Sequence, residues 1–386
     1  MNFSPSQKIK NISPSFFAGL DKKISQIKDK QSLISLAQGS PDQPTPGFII
    51  KKLKQSLTRL SDNGYPPFAG KDKLLKAIAK YYKKQYKITI NPNQEILTLA
   101  GSQIGISALP QVMLNPGDYV VTTDPCYPDY YTDIVLAGGK LYQLPINKEN
   151  HFLPNLKNIP EKIVAKTKML FLNYPNNPTG AVATKAFFKA AINFGKAHHI
   201  LVANDFAYST LGFNRKPISL LQTKDAKQYA VELNTLSKAY DMAGWRIGYI
   251  LGNKSVIAAL KQYHDHVYSP VFGAVQKAAA MALSSKQRSA ETIKNEYQKR
   301  RNILVSGLLK LGWSINPPQG TFFVWAKAPA GYTGQQFAQL ILDQTNVVVA
   351  PGRAFGKSGT DYMRLSLTRP SQTLKEVISR FNQLKY

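Results

Sequence analysis

The sequence predicts an α/β protein in which a mostly parallel sheet lies between helices and a smaller α+β unit follows. Strand-like and helix-like segments alternate from about residue 95 to 250, which is typical of βαβ units. A long helix pattern beginning near Glu291 precedes three short strand-like runs, which indicates the α+β unit. Because 386 residues exceed what one small core requires, we expect two domains, or one large domain with an appendage.

The patterns place the elements along the chain. The predicted strands of the sheet are 95–100, 118–123, 168–173, 200–205, 230–236 and 246–251. A helix is predicted over 184–199, and the short C-terminal strands are "GTFFVWAKA", "NVVVAP" and "MRLSLT". The first 45 residues contain many prolines, and we expect them to be irregular and to pack beside the smaller unit. The predicted division is therefore 1–45, a large domain over 46–285 and a small domain over 286–386.

The formal net charge of +28 raises the question of a nucleic-acid partner. In the densest cationic run, 71–87, Leu74, Ile78 and Tyr81 recur at helical spacing, while the lysines fall largely on the other side. This pattern predicts an amphipathic helix with a cationic outer face. No zinc-finger spacing, RNP motif or helix-turn-helix pattern accompanies it, so we predict no specific nucleic-acid binding and no metal site.

The apolar runs and the cysteine content bear on the compartment. The apolar runs are short and interrupted, so no membrane span is expected. The first twenty residues lack the apolar core that a secretory signal needs. The single cysteine, Cys126, cannot form an internal disulfide. These observations predict a cytoplasmic protein.

The carboxyl ends of parallel strands, where ligands bind in such sheets, carry the candidate site residues. Strand 95–100 runs into a glycine turn that opens a helix; such N–H groups suit a phosphate, although Gly-Ser turns are common. Strand 118–123 leads to Tyr127, which can stack on a flat ligand or form a core edge. Strand 168–173 leads to "NYPNNPTG", which holds Asn177 past the strand end but is also typical of a rigid loop.

The later strands end on charged residues. Strand 200–205 ends on Asp205, a functional carboxylate or a helix N-cap, with Tyr208 on the same side if a helical turn begins there. Strand 230–236 leads to Lys238, whose apolar neighbours predict a desolvated lysine with a lowered pKa. Arg246 offers a bidentate fork for phosphate. Arg364, in another strand-like run, needs an anionic partner if buried, and a substrate carboxylate is one.

These parts match the demands of pyridoxal 5′-phosphate. This cofactor needs a lysine for a Schiff base and a carboxylate to keep its pyridine nitrogen protonated. Its 3′-oxygen needs hydrogen-bond donors, and its phosphate needs a helix N-terminus and an arginine. The sequence therefore predicts a pyridoxal-phosphate site around Lys238.

Over nearly its whole length the chain resembles the class I and II aminotransferases of fold type I, which depend on pyridoxal phosphate. The motifs that carry the resemblance are "LAQGSPDQPTP" (36–46), "NYPNNPTG" (173–180), "TLSKAYDMAGWRIGY" (235–249) and "MRLSLT" (363–368). The resemblance implies a large domain with a mostly parallel seven-stranded sheet between helices, plus a smaller α+β domain. Where many relatives have Asp-Glu-x-Tyr this chain has "DFAY" (205–208), which keeps the spacing of the aspartate and the tyrosine.

The resemblance implies a role at the cofactor ring for several matched residues. Lys238 forms the Schiff base and, once released, moves the proton between the substrate Cα and the cofactor C4′. Asp205 pairs with the pyridine nitrogen. Asn177 and Tyr208 bind the 3′-oxygen, and Tyr127 stacks on the ring.

The phosphate and the substrate have matched residues as well. The resemblance implies phosphate contacts from Ser102, Gln103, Thr235, Ser237 and Arg246. Arg364 would clamp the substrate α-carboxylate, with Gly39 and Asn177 lining the substrate site. The segment "YPPFAGKDKLL" (65–75) is similar to the one whose tyrosine, here Tyr65, reaches the phosphate of the neighbouring subunit, which implies a homodimer.

The predicted function is transfer of an amino group between an L-amino acid and a 2-oxo acid. The variations in the motifs are most similar to the LL-diaminopimelate and related aminotransferases, a subgroup that also includes enzymes for alanine and aromatic amino acids. Glutamate and 2-oxoglutarate are the expected partner pair. A pyridoxal-phosphate-dependent carbon–sulfur β-lyase stays open, because the same motifs serve both reactions. A binding protein that merely keeps the fold is disfavoured because all the reactive side chains are present.

Overall fold

A seven-stranded sheet forms the centre of the computed structural model, which describes residues 2–26 and 31–386. Two smaller sheets lie beside it. The strands of the described residues, in chain order, are β1 (Ile34–Ser35), β2 (Ile96–Leu99), β3 (Tyr119–Asp124), β4 (Lys140–Pro145), β5 (Thr167–Asn173), β6 (Leu201–Asp205), β7 (Ala230–Thr235), β8 (Gly248–Gly252), β9 (Phe323–Lys327), β10 (Val347–Val348), β11 (Ala350–Pro351) and β12 (Tyr362–Ser366).

Helices connect most of these strands. Those of the described residues are α1 (Gln7–Lys10), α2 (Phe16–Ser25), α3 (Gly47–Leu57), α4 (Leu60–Asn63), α5 (Asp72–Tyr86), α6 (Ser102–Met113), α7 (Asp129–Leu136), α8 (Glu161–Val164), α9 (Lys185–His198), α10 (Ala226–Tyr229), α11 (Leu236–Ala239), α12 (Lys254–Val267), α13 (Gly273–Ser284), α14 (Arg288–Lys310), α15 (Gly334–Thr345) and α16 (Ser371–Phe381). None of them is long and apolar enough to cross a membrane.

The strand order of the large sheet is β2-β8-β7-β6-β5-β3-β4. Strand β8 is antiparallel to both of its neighbours, and every other neighbouring pair is parallel. The predicted mostly parallel sheet is therefore confirmed. Because β5, β6 and β7 run in one direction, their carboxyl ends meet at the same edge of the sheet.

Two strand predictions within this sheet need correction. Strand β4 was not among the strands predicted from the residue patterns. It lies at the edge of the sheet with mostly half-buried side chains, so it lacks the apolar run of a strand buried on both faces. Strand β8 begins at Gly248 rather than at residue 246, because Arg246 has a φ of 50° in the left-handed region and cannot extend the strand.

The N-terminal segment also differs from expectation. Residues Phe16–Ser25 form α2 rather than an irregular segment, and its apolar side chains pack on the large core at helical spacing. Strand β1 then pairs in parallel with β10, so that Ile34 lies opposite Val347. The division into 1–45, 46–285 and 286–386 stays a prediction, and residues 1 and 27–30 lie outside the described part.

The C-terminal region has a sheet of its own. Strands β11, β12 and β9 form an antiparallel sheet, and α14 begins at Arg288, three residues before the predicted start. The run "NVVVAP" forms two strands, β10 and β11, with different partners. The predicted amphipathic helix is α5, in which Leu74, Ile78 and Tyr81 are buried.

Candidate active site

A cavity of about 460 Å³ opens where β5, β6 and β7 end, beside the first turn of α6. The last residues of the three strands, Asn173, Asp205 and Thr235, all line it. Parallel strands therefore place three polar side chains at one point, as expected for a ligand site in this type of sheet.

Of the predicted site residues, all but Tyr65 line this cavity. They are Gly39, Ser102, Gln103, Tyr127, Asn177, Asp205, Tyr208, Thr235, Ser237, Lys238, Arg246 and Arg364. Tyr65 does not line it, and 96% of its surface is exposed in the single chain. A role for Tyr65 at the site consequently requires a second copy of the chain.

Lys238 extends from the one-turn helix α11 into the cavity. Its Nζ donates a hydrogen bond to the Gly39 carbonyl oxygen at 3.1 Å and lies 5.5 Å from the centre of the Phe322 ring. Burial, and then the charges of Arg246 and Arg364, lower the pKa of this amine to about 8. An amine with that pKa is partly uncharged near neutral pH, which a nucleophile or a proton acceptor requires.

Asp205 ends β6 with both of its carboxylate oxygens hydrogen-bonded. Oδ2 accepts from the Tyr130 hydroxyl at 2.8 Å, and Oδ1 accepts from the backbone N–H of Ala207 at 3.1 Å. Burial raises the pKa of Asp205 to about 6, while the Tyr130 hydrogen bond, the Ala207 hydrogen bond and the charge of Lys238 oppose that rise. Above that pH the residue presents a carboxylate to the cavity.

Sequence reasoning missed Tyr130 and Asn173, which hold the predicted residues in place. The Asn173 side chain donates to the Asp205 carbonyl oxygen at 2.7 Å and accepts from the Asn177 N–H at 2.7 Å. The sequence feature that could have identified Asn173 is its position as the last residue of a strand. Tyr130 lies on the first turn of α7, three residues after Tyr127. The rings of the two tyrosines pack edge to face, with their centres 5.6 Å apart. The three-residue spacing was the available signal for Tyr130.

Arg364 is buried in β12 without a carboxylate partner among the described residues. Its Nη1 donates to Asn177 Oδ1 at 2.9 Å and its Nη2 to the Ala37 carbonyl oxygen at 2.6 Å, while Nε has no hydrogen-bond partner within 2–26 and 31–386. The Phe323 ring lies 3.9 Å from its guanidinium carbon. Burial lowers its pKa to about 10. A buried guanidinium with a free donor is suited to an anionic ligand such as a carboxylate.

The first turn of α6 and Arg246 form the other cationic part of the cavity. Gly101, before α6, has a φ of 91°, and a Cβ there would lie 2.5 Å from Arg246 Nη2. Glycine thus permits both the turn and the close approach of the guanidinium. The Thr235 and Ser237 hydroxyls lie 2.9 Å apart in the same cavity. Together with the N–H groups of α6, these donors are suited to a phosphate.

The charges fit a ligand with two anionic groups. Lys238, Arg246 and Arg364 form no ion pair with any carboxylate of the described residues. The acidic residues of the lining are Asp129 and Asp205. A phosphate beside Arg246 and a carboxylate beside Arg364 would balance the two guanidinium groups, so the residues present fit pyridoxal phosphate together with an amino acid.

A buried carboxyl group in β7 is the centre of a hydrogen-bond network. Glu232 Oε1 accepts from the Tyr82 and Ser219 hydroxyls, each at 2.8 Å. Its Oε2 accepts from the Leu220 N–H at 2.8 Å and the Asn204 amide at 3.4 Å. Burial raises the pKa of Glu232 to about 7, although these donors oppose the rise. The network ties Glu232 in β7 to Asn204 in β6 and to Tyr82 in α5.

Glu232→Leu should lower the free energy of unfolding by about 3 kcal/mol, because buried donors lose their acceptor. Glu232→Gln should lower it by less than about 1 kcal/mol, since the hydroxyls can rotate to accept from an amide while its oxygen faces Leu220. Urea titrations of both variants measure the difference, with the exposed Glu291→Gln as the control. Equal stability of the two Glu232 variants would contradict this description of the network.

Comparisons with known proteins agree with this geometry. Residues 31–381 match the model of the family described as aminotransferase class I and II. The chain is 41% identical to the L-glutamine–4-(methylsulfanyl)-2-oxobutanoate aminotransferase of Bacillus subtilis, over 100% of this chain and 97% of that protein. It is 40% identical to the LL-diaminopimelate aminotransferase of Aquifex aeolicus, over 99% and 100% of the two chains. The substrate-bound structure of BacF from Bacillus subtilis has a TM-score of 0.96 at 39% identity, covering 100% and 98%.

Proposed function

The chain belongs to the class I and II aminotransferase family, and we propose that it works with pyridoxal 5′-phosphate bound around Lys238. Members of this family move an amino group between an amino acid and a 2-oxo acid, and this is the reaction of the chain. One observation carries the proposal. A single cavity contains a lysine amine with a pKa lowered to about 8, a buried carboxylate and two arginines that pair with no carboxylate in the described part of the chain.

Each end of the cofactor would be held by different side chains. When bound, pyridoxal phosphate supplies a reactive aldehyde carbon and an electron-withdrawing ring. Lys238 would hold the aldehyde carbon and Asp205 the pyridine nitrogen. Tyr127 would cover the ring, and Asn177 and Tyr208 would bind its 3′-oxygen. The phosphate would be bound by Ser102, Gln103, Thr235, Ser237 and Arg246.

With its amine free in the cavity, Lys238 would take the proton from the substrate Cα. A pKa of about 8 suits this task, because a base works best when its pKa is close to the working pH. The Gly39 carbonyl, which accepts a hydrogen bond from Nζ, would keep the amine aimed into the site.

Arg364 would bind the α-carboxylate of the substrate and so orient its Cα. The contacts of Arg364 with Asn177 and Ala37 fix the guanidinium before the substrate arrives. The rings of Phe17, Phe323 and Phe355 lie within 5.3 Å of the guanidinium carbon and exclude water from it. A dry arginine binds a carboxylate more strongly than one in solvent.

We propose L-amino acids as donors, with glutamate and 2-oxoglutarate as the partner pair. The donors to compare first are L-glutamine and LL-diaminopimelate, which occur in the names of similar proteins, followed by alanine and aromatic amino acids. Each donor, labelled with ¹⁵N, is incubated with the holoenzyme and 2-oxoglutarate. We expect labelled glutamate to form. Pyruvate released from cystathionine without any added 2-oxo acid would instead support the β-lyase. We propose a cytoplasmic location for the protein in either case.

We also propose that the active unit is a homodimer. Leu60, Tyr65 and Phe68 expose 87%, 96% and 45% of their surfaces in the single chain. Their segment is firmly held, because buried Asp62 pairs with Lys71 and Lys277, each at 2.6 Å. A rigid, exposed apolar surface of this kind is typical of a contact with another protein chain.

Complementation tests whether Tyr65 acts across that contact. Tyr65→Ala and Lys238→Ala homodimers should each have low activity, whereas a mixed dimer has one site with Lys238 from one chain and Tyr65 from the other. The two variants are mixed in equal amounts, dissociated and allowed to reassociate. We expect about a quarter of the wild-type activity, because half of the dimers are then mixed and each mixed dimer has one intact site of two. Mixing Tyr386→Ala with Lys238→Ala is the control for damage during dissociation, and it should keep half of the wild-type activity. Activity that stays at the sum of the parents would contradict a role for Tyr65 in the neighbouring site.

A further inference from the structure

The lining of the active-site cavity contains a carboxylate that the proposed mechanism does not use. Lys238 and Asp205 would hold the cofactor at its aldehyde carbon and its ring nitrogen. Arg246 would bind the phosphate, and Arg364 the α-carboxylate of the substrate. Within the described part of the chain, the charged residue of the lining that remains without a task is Asp129.

Asp129 is the half-buried first residue of α7. It forms no ion pair with a lysine, arginine or histidine of residues 2–26 and 31–386. A helix N-terminus stabilises a carboxylate but does not require it to face a cavity. Asp72, the first residue of α5, has a side chain that is 73% exposed and pairs with Lys76. The position of Asp129 in the cavity lining therefore calls for a different explanation.

Asp129 lies beside the tyrosine that would cover the cofactor ring. Tyr127 precedes it by two residues, and both side chains line the same cavity. Burial and then the charge of Asp129 raise the pKa of the Tyr127 hydroxyl above its usual range. A donor amino acid places its amino group at the cofactor aldehyde and its α-carboxylate at Arg364. The part of the donor that is left to meet Asp129 is consequently the end of its side chain.

The chemistry of the lining restricts what that side chain can be. Phe17, Ile106 and Phe323 add apolar surface to the cavity, which suits the methylene groups of a donor. An ionised carboxylate such as Asp129 only accepts hydrogen bonds. It therefore attracts the N–H groups of an amide or an ammonium and repels a second carboxylate.

We propose that Asp129 is a specificity-determining residue that selects amino donors whose side chain ends in an N–H group, either an amide or an ammonium. This inference rests on the proposed function, because it concerns which donors that site accepts. Arg364 holds the α-carboxylate of such a donor, and Asp129 accepts a hydrogen bond from the far end of its side chain. Glutamate also binds, but less well than glutamine, because its second carboxylate faces the charge of Asp129.

Asp129→Asn tests the proposal with L-glutamine and L-glutamate, which have nearly the same shape and differ in the end group. Single-turnover rates of the holoenzyme at increasing donor concentration, without any 2-oxo acid, give kcat/KM for each donor. We expect the glutamine-to-glutamate ratio of kcat/KM to fall by roughly 10- to 100-fold in the variant, because glutamine loses a charged acceptor and glutamate loses a like charge. L-Ornithine, which ends in an ammonium, should lose more than glutamine does, and the faster of the two in wild type identifies the preferred N–H group.

Binding of unreactive analogues provides a second readout that does not depend on turnover. Glutaramate and glutarate correspond to glutamine and glutamate without the amino group. Isothermal titration calorimetry of the holoenzyme measures both dissociation constants. We expect wild type to bind glutaramate more tightly than glutarate, and Asp129→Asn to lose that preference.

Asp72→Asn is the matched control, because it removes the charge of another first helical residue outside the cavity lining, and both preferences should stay as in wild type. Asp129→Glu should keep the preference for glutamine. If Asp129→Asn does not fold, as judged by circular dichroism, Asp129→Ser takes its place.

The outcomes separate this inference from the proposed function. An Asp129→Asn enzyme that loses activity equally with both donors would show that the residue only supports the start of α7, and would overturn the role in specificity. Unchanged ratios would overturn it as well. A protein that converts no donor, but whose preference for glutaramate disappears in Asp129→Asn, would support the role of Asp129 and refute the proposed function.

Discussion

Lys238→Ala should abolish transamination, with kcat reduced by a factor of roughly 10⁴ or more. The amine of Lys238 is the one lysine amine that lines the cavity among the described residues, and it would serve both as the attachment point and as the base. No neighbouring group can replace it, because the other cations there are the arginines Arg246 and Arg364, which stay protonated. Steady-state kinetics with 2-oxoglutarate, together with the visible spectrum of the purified protein, measure the loss.

Lys216→Ala is the matched control for that experiment. Burial lowers the pKa of Lys216 to about 8, as for Lys238, but its Nζ bonds to the Gln85 carbonyl oxygen at 2.7 Å and it does not line the cavity. Its removal should leave kcat within about twofold, because it touches no reacting group. A Lys238→Ala protein that kept a tenth of the wild-type rate would exclude Lys238 as the proposed base and attachment point.

Asp205→Asn should lower kcat by roughly 10² to 10⁴, the range that corresponds to about 3–5 kcal/mol for breaking a buried charge pair. The amide has nearly the shape of the carboxylate but no charge to hold a proton on the cofactor nitrogen. It also places an N–H group where Tyr130 or Ala207 now donates. Single-turnover rates with a saturating donor measure the chemical step.

Tyr130→Phe separates charge from hydrogen bonding at the same position. The Tyr130 hydroxyl lowers the pKa of Asp205, so its loss should raise that pKa above about 6. The carboxylate form is then lost at a higher pH, and the acid limb of the kcat/KM profile should move upward while the rate on the plateau changes much less than in Asp205→Asn. If Asp205→Asn kept kcat within about threefold, Asp205 would not be the partner of the cofactor nitrogen.

The placement of the site could be predicted because it depends on strand ends. Asp205 ends an apolar strand, and Asn177 and Lys238 each follow one; parallel strands bring such positions together without any knowledge of loop paths. The cationic face of α5 was predictable for a similar reason, since helical periodicity separates its lysines from Leu74 and Ile78.

Contacts between distant segments could not be predicted in this way. Tyr130 reaches Asp205 over 75 residues, and Thr45 reaches Asp241 over 196, through packing that no local pattern encodes. Strand β4 was missed because an edge strand keeps half-buried side chains and lacks an apolar run. The contacts of Tyr65 could not be predicted from residue patterns, because a role at the site requires a second chain.

The most direct test of the central claim is an absorbance spectrum of the holoenzyme with a good amino donor and no 2-oxo acid. The account predicts that the visible band of the lysine-bound cofactor disappears while about one equivalent of the donor's 2-oxo acid is released per chain, and that 2-oxoglutarate then restores the band. A protein that shows no visible band after addition of pyridoxal phosphate would contradict the site built around Lys238. Continuous release of ammonia without an acceptor would contradict transamination as its reaction.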